Sequence, residues 1–331
     1  MNDVLLVIVV AVALGFDFTN GFHDTANAIA TSVGTRALSP RMAVLLASVA
    51  NLAGAFVTVA VAKTISTGII AGDLATMQTL LAALIGAIAW NLITWWFGLP
   101  SSSSHALIGG LVGAALAQSG SEGVLWHGIA HKIVIPAFFA PTIAFGTAFL
   151  VLVGIYWLFV WLRPSVANRG FRHGQWLSGT WVAFTHGAND AQKTMGVIAL
   201  ALVLHNHGDV AKLTIPNWVK LTAGLAIALG TYAGGWRIIR TLGQRVFAME
   251  PPAGFAAQAS GGAVIYLATR LGYPLSTTHV ISGAVMGSGA TRKLSAVRWG
   301  IAGNIVFAWI LTIPAAAAVA AALYWPIQAI F

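Results

Sequence analysis

The sequence predicts an all-α integral membrane protein made of two inverted-topology repeats. Each repeat has three spanning helices, the first of them broken, and one re-entrant helical hairpin. Three observations carry this expectation. The 331 residues are 58% hydrophobic and only 8% charged, with a mean hydropathy of +0.84, whereas soluble domains carry about 25% charged residues. Two polar motifs each occur twice, in the same order. Once those motifs are placed at mid-membrane, the basic residues gather on one side.

Apolar runs such as Met42 to Ala62 and Ile301 to Trp325 reach the roughly 20 residues that cross a hydrocarbon core about 30 Å thick as a helix. The alternation of a transmembrane barrel is absent from them. The N-terminal stretch MNDVLLVIVVAVALGF has no basic n-region and no small-residue cleavage site, so it reads as the first membrane helix. The net charge of +9 comes from seventeen Lys and Arg scattered between apolar runs. That spacing suits loops at a membrane surface and argues against a nucleic-acid partner. The absence of Cys excludes disulfides and thiolate metal sites.

The first repeated motif is FTNGFHDTANA at 18–28 and FTHGANDAQKT at 184–194, which align at a constant offset of 166 residues. The second is GLPSSSSHALIGGLVG from Gly98 and GYPLSTTHVISGAVMG from Gly272, offset by 174. Two motifs repeated in order indicate an internal duplication. Each half is expected to begin with a helix interrupted at the Asp motif, followed by a plain helix. A segment broken at the Pro-Ser motif and a long helix then complete it. Pro100 and Pro274 cannot continue a helix, and the Ser and Thr after them are fitted to cap a new one.

Charge decides where the Pro-Ser motifs lie. If each is the tip of a re-entrant hairpin, spanning 75–118 and 247–289, eleven basic residues share one face: Arg36, Arg41, Arg163, Arg169, Arg172, Arg237, Arg240, Arg245, Arg292, Lys293 and Arg298. Four, Lys63, Lys132, Lys212 and Lys220, share the other, and Lys193 and Arg270 stay within the membrane. Ordinary spanning helices would erase that bias. The expected organisation is therefore a first repeat over 1–162, a cytoplasmic basic linker over 163–175 and a second repeat over 176–331. The chain is expected to cross the cell (inner or plasma) membrane several times, with both termini outside. Inverted repeats with broken helices at mid-depth are a plan used by secondary transporters.

Irregular backbone at membrane depth must line a cavity or be buried in protein. The helices leaving the tips start near Ser104-His105 and Thr278-His279, so their free N–H groups and positive dipole ends suit an anion. Ser101, Ser102, Ser103 and Ser104, with Ser276, Thr277 and Thr278, add hydroxyl donors; the alternative is that they only cap their helices. Asp24 and Asp190 are the costly residues, since an acid at a helix centre is penalised by about 3 kcal/mol. They serve either coupling cations or the ligand's proton; the alternative is neutralisation by Lys193 or Arg270. Asn20, Asn27, Asn189 and Gln192 supply neutral oxygens of the kind a Na⁺ site uses. A protonated oxyanion such as hydrogen phosphate can donate to a carboxylate, whereas sulfate has no proton to give. His23, His105 and His279 lack the spacing of a tight metal motif, and no metal beyond a Na⁺ is expected. Asp17 is a weaker member of the polar network.

These motifs resemble the inorganic phosphate transporter (PiT) family, in particular bacterial cation-coupled phosphate permeases. The resemblance rests on GANDAQKTMG, on NGFHDTANAIATSVGT and on the two Pro-x-Ser-(Ser/Thr)-(Ser/Thr)-His tips, and spans nearly the whole chain. One departure is Gly-Phe-His-Asp where the second half has Gly-Ala-Asn-Asp. The resemblance implies phosphate symport driven by Na⁺ or H⁺, with no other cofactor. Asp24, Asp190 and the tips would surround the substrate, and Gln192 and Lys193, beside Asp190 in the sequence, are further candidates for that site. Sulfate permeases similar to this family keep sulfate open as a substrate. A membrane-embedded enzyme using His23 and Asp24 lacks an asymmetric nucleophile and leaves the duplication unexplained; a channel leaves the paired tips unexplained. Importing a divalent anion against an inside-negative potential costs about 2.3 kcal/mol per charge per 100 mV, so at least two monovalent cations must accompany it for neutrality. Assembly into a homo-oligomer is left open.

Overall fold

A computed structural model describes residues 2–331, with the side chains of residues 2, 244 and 245 outside the description. Arg245, counted above among the basic residues, is thus outside the described side chains. The described residues form helices and no strand, apart from one isolated bridge between Ile70 and Val124.

The first half runs α1 (Asn2–Gly34), α2 (Pro40–Gly54), α3 (Ala60–Gly68), α4 (Met77–Phe97), α5 (Ser103–Ser119), α6 (Trp126–Ile129) and α7 (Ile135–Leu158). The second runs α8 (Pro164–His205), α9 (Asn217–Ala233), α10 (Trp236–Arg240), α11 (Pro251–Arg270), α12 (Thr277–Ala290) and α13 (Trp299–Ile330). Each half thus has a long helix, a helix broken in two, a helix–turn–helix pair and a final long helix. By length and apolarity Asp3–Gly34, Met77–Phe97, Trp126–Leu158 and Trp299–Ile330 are able to cross a membrane.

Three expectations are corrected. The Asp motifs do not interrupt their helices: α1 and α8 continue through Asp24 and Asp190. Neither segment holds a Pro, and hydroxyls are absorbed by the helix itself, Thr25 donating to Gly21 O at 2.6 Å and Thr185 to Val182 O at 3.0 Å. The motif glycines serve close helix crossing instead. A Cβ on Gly21 would overlap the Ile227 carbonyl of α9, and one on Gly187 would overlap Asn51 of α2. The break falls in the next helix. The run from Met42 to Ala62, expected as one plain helix, is split at 55–59. The restart is capped by Gln192 Oε1, which accepts from Val61 N at 2.8 Å and Ala62 N at 3.2 Å. Its counterpart is the break between α9 and α10 at Gly234 (φ 75°) and Gly235. Finally, residues 164–175 are the opening turns of α8 rather than a linker.

The turns of the two pairs are built alike. Gly98 and Gly272 both take φ values of 65° and 77°, which favour Gly. Each is held by the segment just after a helix break in the other half: Thr241 donates to Gly98 O at 2.9 Å and Thr64 to Gly272 O at 2.7 Å. The glycines after the tip histidines are packing sites. Side chains at Gly109 and Gly113 would overlap the backbone of Ile313 and Ala317 on α13, and at Gly283 and Gly287 that of Pro141 and Phe145 on α7. Small residues at i and i+4 let membrane helices approach closely.

The buried apolar residues fall into two separate cores. The first holds the start of α1, α3, the α4–α5 pair, the end of α8, the start of α9 and the end of α13. The second holds the end of α1, α2, α7, the middle of α8, α10, the α11–α12 pair and the start of α13. Between them lies a layer of buried polar residues.

Candidate functional site

The polar layer is where α1 and α8 meet the two turns. Asp24 and Asp190, the paired acids of the repeat, come together: one atom from each, and one from His186, lie within 4.8 Å of one another. All three are buried.

Asp24 is tied to the first turn. His23 Nδ1 lies 2.6 Å from Asp24 Oδ1, and His23 Nε2 lies 3.1 Å from Thr94 Oγ1 and 3.3 Å from Ser101 Oγ. A proton on Nδ1 donates to the carboxylate, and Nε2 faces the hydroxyls of Thr94 and Ser101, while the Thr94 hydroxyl itself donates to Trp90 O at 2.9 Å. Ser101 in turn donates to Thr94 at 2.8 Å. His23 is therefore a relay from acid to turn, which accounts for its presence where the second half has Asn189.

Asp190 is tied to the second turn and to cations. Lys193 Nζ lies 2.5 Å from its Oδ1, His186 Nε2 lies 3.3 Å from Oδ2, and Thr277 donates to Oδ2 at 3.4 Å. Lys193 also bonds Ser104 and, at 3.1 Å, Leu275 O, so one ammonium touches both turns. The neutralisation considered from sequence thus comes from Lys193. Arg270 is exposed at the end of α11.

The turn hydroxyls divide into roles. Ser102 and Ser276 cap α5 and α12, accepting from His105 N at 3.1 Å and His279 N at 3.2 Å. Ser104 donates to Leu275 O of the opposite turn at 2.9 Å. Thr277 and Thr278 accept from Asn27 Nδ2 at 3.3 and 2.9 Å. Ser103 Oγ, fully buried, has no partner among the described residues. With the caps spent on one N–H each, the first amides of α5 and α12 have no intrahelical partner.

The amides also divide. Asn27 Oδ1 and Asn189 Oδ1 are buried without a hydrogen bond, as are both polar atoms of Asn20. Asn189 Nδ2 holds the second turn through Thr269 Oγ1 at 2.8 Å and Tyr273 O at 3.1 Å. Gln192, expected at the substrate, spends its carbonyl on the start of α3 and its Nε2 on Ala188 O at 2.5 Å.

His105 and His279 stay together, rings edge to face at 4.7 Å, with His279 stacked on Trp309 at 4.0 Å. They face a mostly apolar cavity of about 630 Å³ that also reaches Phe138, Phe145 and Met286.

Sequence reasoning missed His186, Thr94, Asn51 and Thr231. His186 Nδ1 lies 2.9 Å from Asn51 Oδ1, and Asn51 donates to Thr231 at 2.8 Å. The signal for His186 was available: it stands four residues before Asp190, on the same helix face, and aligns with Asn20 in the repeat. Asn51 and Thr94 are single polar residues in apolar helices and announce nothing by themselves.

The chain is 49% identical over 338 residues to a probable low-affinity inorganic phosphate transporter of Mycobacterium leprae, covering 100% of this chain and 80% of that one. A protein described in the same words from Rhizobium meliloti is 49% identical, covering 97% and 96%. Its Bacillus subtilis counterpart is 43% identical, covering 99% and 98%. A solved structure described as the sodium-dependent phosphate transporter superposes with a TM-score of 0.88 at 27% identity, covering 99% of this chain and 100% of that one. The family model described as Phosphate transporter family matches residues 20–320, and the chain, a membrane protein, belongs to that family.

Proposed function

We propose that this protein imports inorganic phosphate across the cell membrane by symport with a monovalent cation, through alternating access. The observation that carries this is the meeting, at one buried point, of two acids from opposite halves and the N-terminal ends of α5 and α12. Two helix N-termini and the free Ser103 hydroxyl suit an oxyanion. Lys193 adds a positive charge beside both turns, and Ser101, Ser104, Thr277 and Thr278 frame the space. Asp24 and Asp190 accept the phosphate's proton or hold the coupling cation, with Asn20, Asn27 and Asn189 offering the open amide oxygens that hard cations take. His186 joins that set. The sodium dependence named for the solved relative favours Na⁺ over H⁺.

The two apolar cores support an inverted arrangement of the halves. α1 starts in the first core and ends in the second, whereas α8 does the reverse; the α4–α5 pair belongs to the first core and the α11–α12 pair to the second. Both pairs then enter from opposite faces and meet at mid-depth as re-entrant hairpins. At 21 residues α4 is long enough to cross a membrane, so the meeting of the turns, not length, favours a hairpin. Arg36, Arg163, Arg240 and Arg298 adjoin segments of the second core, which supports a cytoplasmic location for that side and an outside location for both termini. The repeats run over 1–162 and 176–331, with the basic start of α8 between.

The test is uptake of labelled phosphate into proteoliposomes under Na⁺ and pH gradients imposed separately, with sulfate as competitor. We expect accumulation under one gradient, unaffected by sulfate. Uptake independent of both gradients refutes symport, and equal competition by sulfate refutes phosphate selectivity.

A further inference from the structure

The two turns are tied together from outside the acid centre by one aromatic side chain. Trp309 of α13 is half-buried. Its indole lies over the His279 ring, with centroids 4.0 Å apart and planes 24° from parallel, and its Nε1–H donates to Pro100 O at 3.2 Å. His279 stands in the first turn of α12, and Pro100 in the turn before α5. One residue therefore reaches both turns. The tip histidines close the arrangement, His105 meeting His279 edge to face at 4.7 Å. Through Pro100 the indole bears on Ser101, whose hydroxyl joins the His23 relay, and through His279 on Thr277 and Thr278, which bond Asn27.

Both contacts answer a physical need. Pro100 lies in non-helical backbone, and its carbonyl accepts from no backbone amide among the described residues. A polar group left unpaired at membrane depth is costly; the indole N–H and this carbonyl satisfy each other. The stacked rings border the apolar cavity between α7 and α13, walled also by Phe138, Val306 and Ile310. The repeat shows that the clasp is built on one side. Gly109 and Gly113 face Ile313 and Ala317, where Gly283 and Gly287 face Pro141 and Phe145. Ile313 thus corresponds to Pro141 and Ala317 to Phe145, which makes Ala137 the counterpart of Trp309. Ala137 lines the same cavity but has no ring to lay on His105 and no side-chain N–H to give Pro274. Close helix crossing asks for small residues, so the indole is an addition to the duplicated plan.

We propose that Trp309 is a positioning residue for phosphate. It sets the spacing between the N-terminal ends of α5 and α12, and with it the fit of an oxyanion between them, without touching the anion itself. This rests on the phosphate reading above.

The test compares wild type with three variants. Trp309→Phe keeps a ring for His279 and loses the N–H, Trp309→Leu loses both, and Ile310→Ala changes a neighbouring cavity residue that reaches neither turn. Labelled-phosphate uptake into proteoliposomes gives the half-maximal concentration and the maximal rate, equilibrium binding of labelled phosphate in detergent gives the affinity, and melting temperature reports folding. We expect Trp309→Phe to raise the half-maximal concentration and the dissociation constant about five- to tenfold, with maximal rate and melting temperature close to wild type. Trp309→Leu should weaken binding by about a further three- to tenfold, so that the ring of Trp309→Phe counts as partial rescue. Ile310→Ala should match wild type. Wild-type affinity in Trp309→Phe overturns the proposal, as does a fall in melting temperature or maximal rate with affinity intact, which assigns Trp309 to packing. An equal loss of affinity in Ile310→Ala overturns it too. If Trp309→Leu does not fold, Trp309→Phe decides alone. Absence of phosphate binding and uptake in wild type removes the phosphate reading and this inference together, whereas wild-type uptake with unaltered variants removes only the clasp.

Discussion

At the scale of residues, the centre is a set of relays from acid to turn. His23 joins Asp24 to Thr94 and Ser101, and Lys193 joins Asp190 to Ser104 and Leu275. Removing one hydroxyl from the His23 relay leaves the acid in place but frees its orienting partner. Thr94→Val should therefore cost about 1 kcal/mol of binding, a five- to tenfold rise in the phosphate concentration for half-maximal uptake, with little change in melting temperature. An unchanged concentration dependence would assign Thr94 to packing alone. The free hydroxyl of Ser103 makes a second case: Ser103→Ala should weaken phosphate binding without loss of stability, because no protein partner is stranded. Equal affinity in Ser103→Ala would remove it from the substrate. The paired acids were legible in sequence because a carboxylate in an apolar chain is costly and these came twice at one offset. His186 and Thr94 were not, since one histidine and one threonine gain meaning only from what tertiary packing sets beside them.

At the scale of elements, the structure depends on close backbone approach at fixed places. α5 lies on α13 through Gly109 and Gly113, and α12 lies on α7 through Gly283 and Gly287. Gly113→Val and Gly287→Val should each force the hairpin off its supporting helix and cost about 1–3 kcal/mol or more, read as a lower melting temperature and lower yield of folded protein in detergent. Wild-type melting in both variants would mean that the pairs are not held by these contacts. The turns were legible because Pro and Gly mark them directly. The break at 55–59 was not, because the local sequence FVTVAVA carries no breaker. Its restart is capped by Gln192, distant in the chain. The interruption expected at the Asp motifs is absent, and the motif glycines serve helix crossing.

At the scale of the whole molecule, two apolar cores flank one polar layer, and the chain passes between them in opposite senses in its two halves. The charge bias read from the sequence and the packing of the cores both favour the proposed inverted arrangement, and the choice of cytoplasmic side rests on the charge bias alone. Single cysteines placed in this Cys-free chain should report it: positions 169 and 240 should react only from the cytoplasm, and positions 63 and 207 only from outside. Labelling of position 169 from outside would contradict the inverted arrangement. The duplication made the two-part organisation of the chain legible, and the proposed opposed orientation rests on where the basic loops have to lie.

The central claim is that Asp24 and Asp190, one from each half, form one working site, and it is tested most directly by comparing Asp24→Asn, Asp190→Asn, Lys193→Met and the double variant Asp190→Asn with Lys193→Met. Gradient-driven phosphate uptake and melting temperature are measured on all four. Asp190→Asn strands a buried ammonium, which should cost about 3–5 kcal/mol, and the double variant should regain most of that stability because charge and partner leave together. Uptake should be lost in Asp24→Asn and Asp190→Asn and should stay lost in the double variant, since the carboxylate is needed by the cation or the ligand's proton and not only by Lys193. Recovery of gradient-driven uptake in the double variant would show that Asp190 serves only to neutralise Lys193, and would contradict a paired working site.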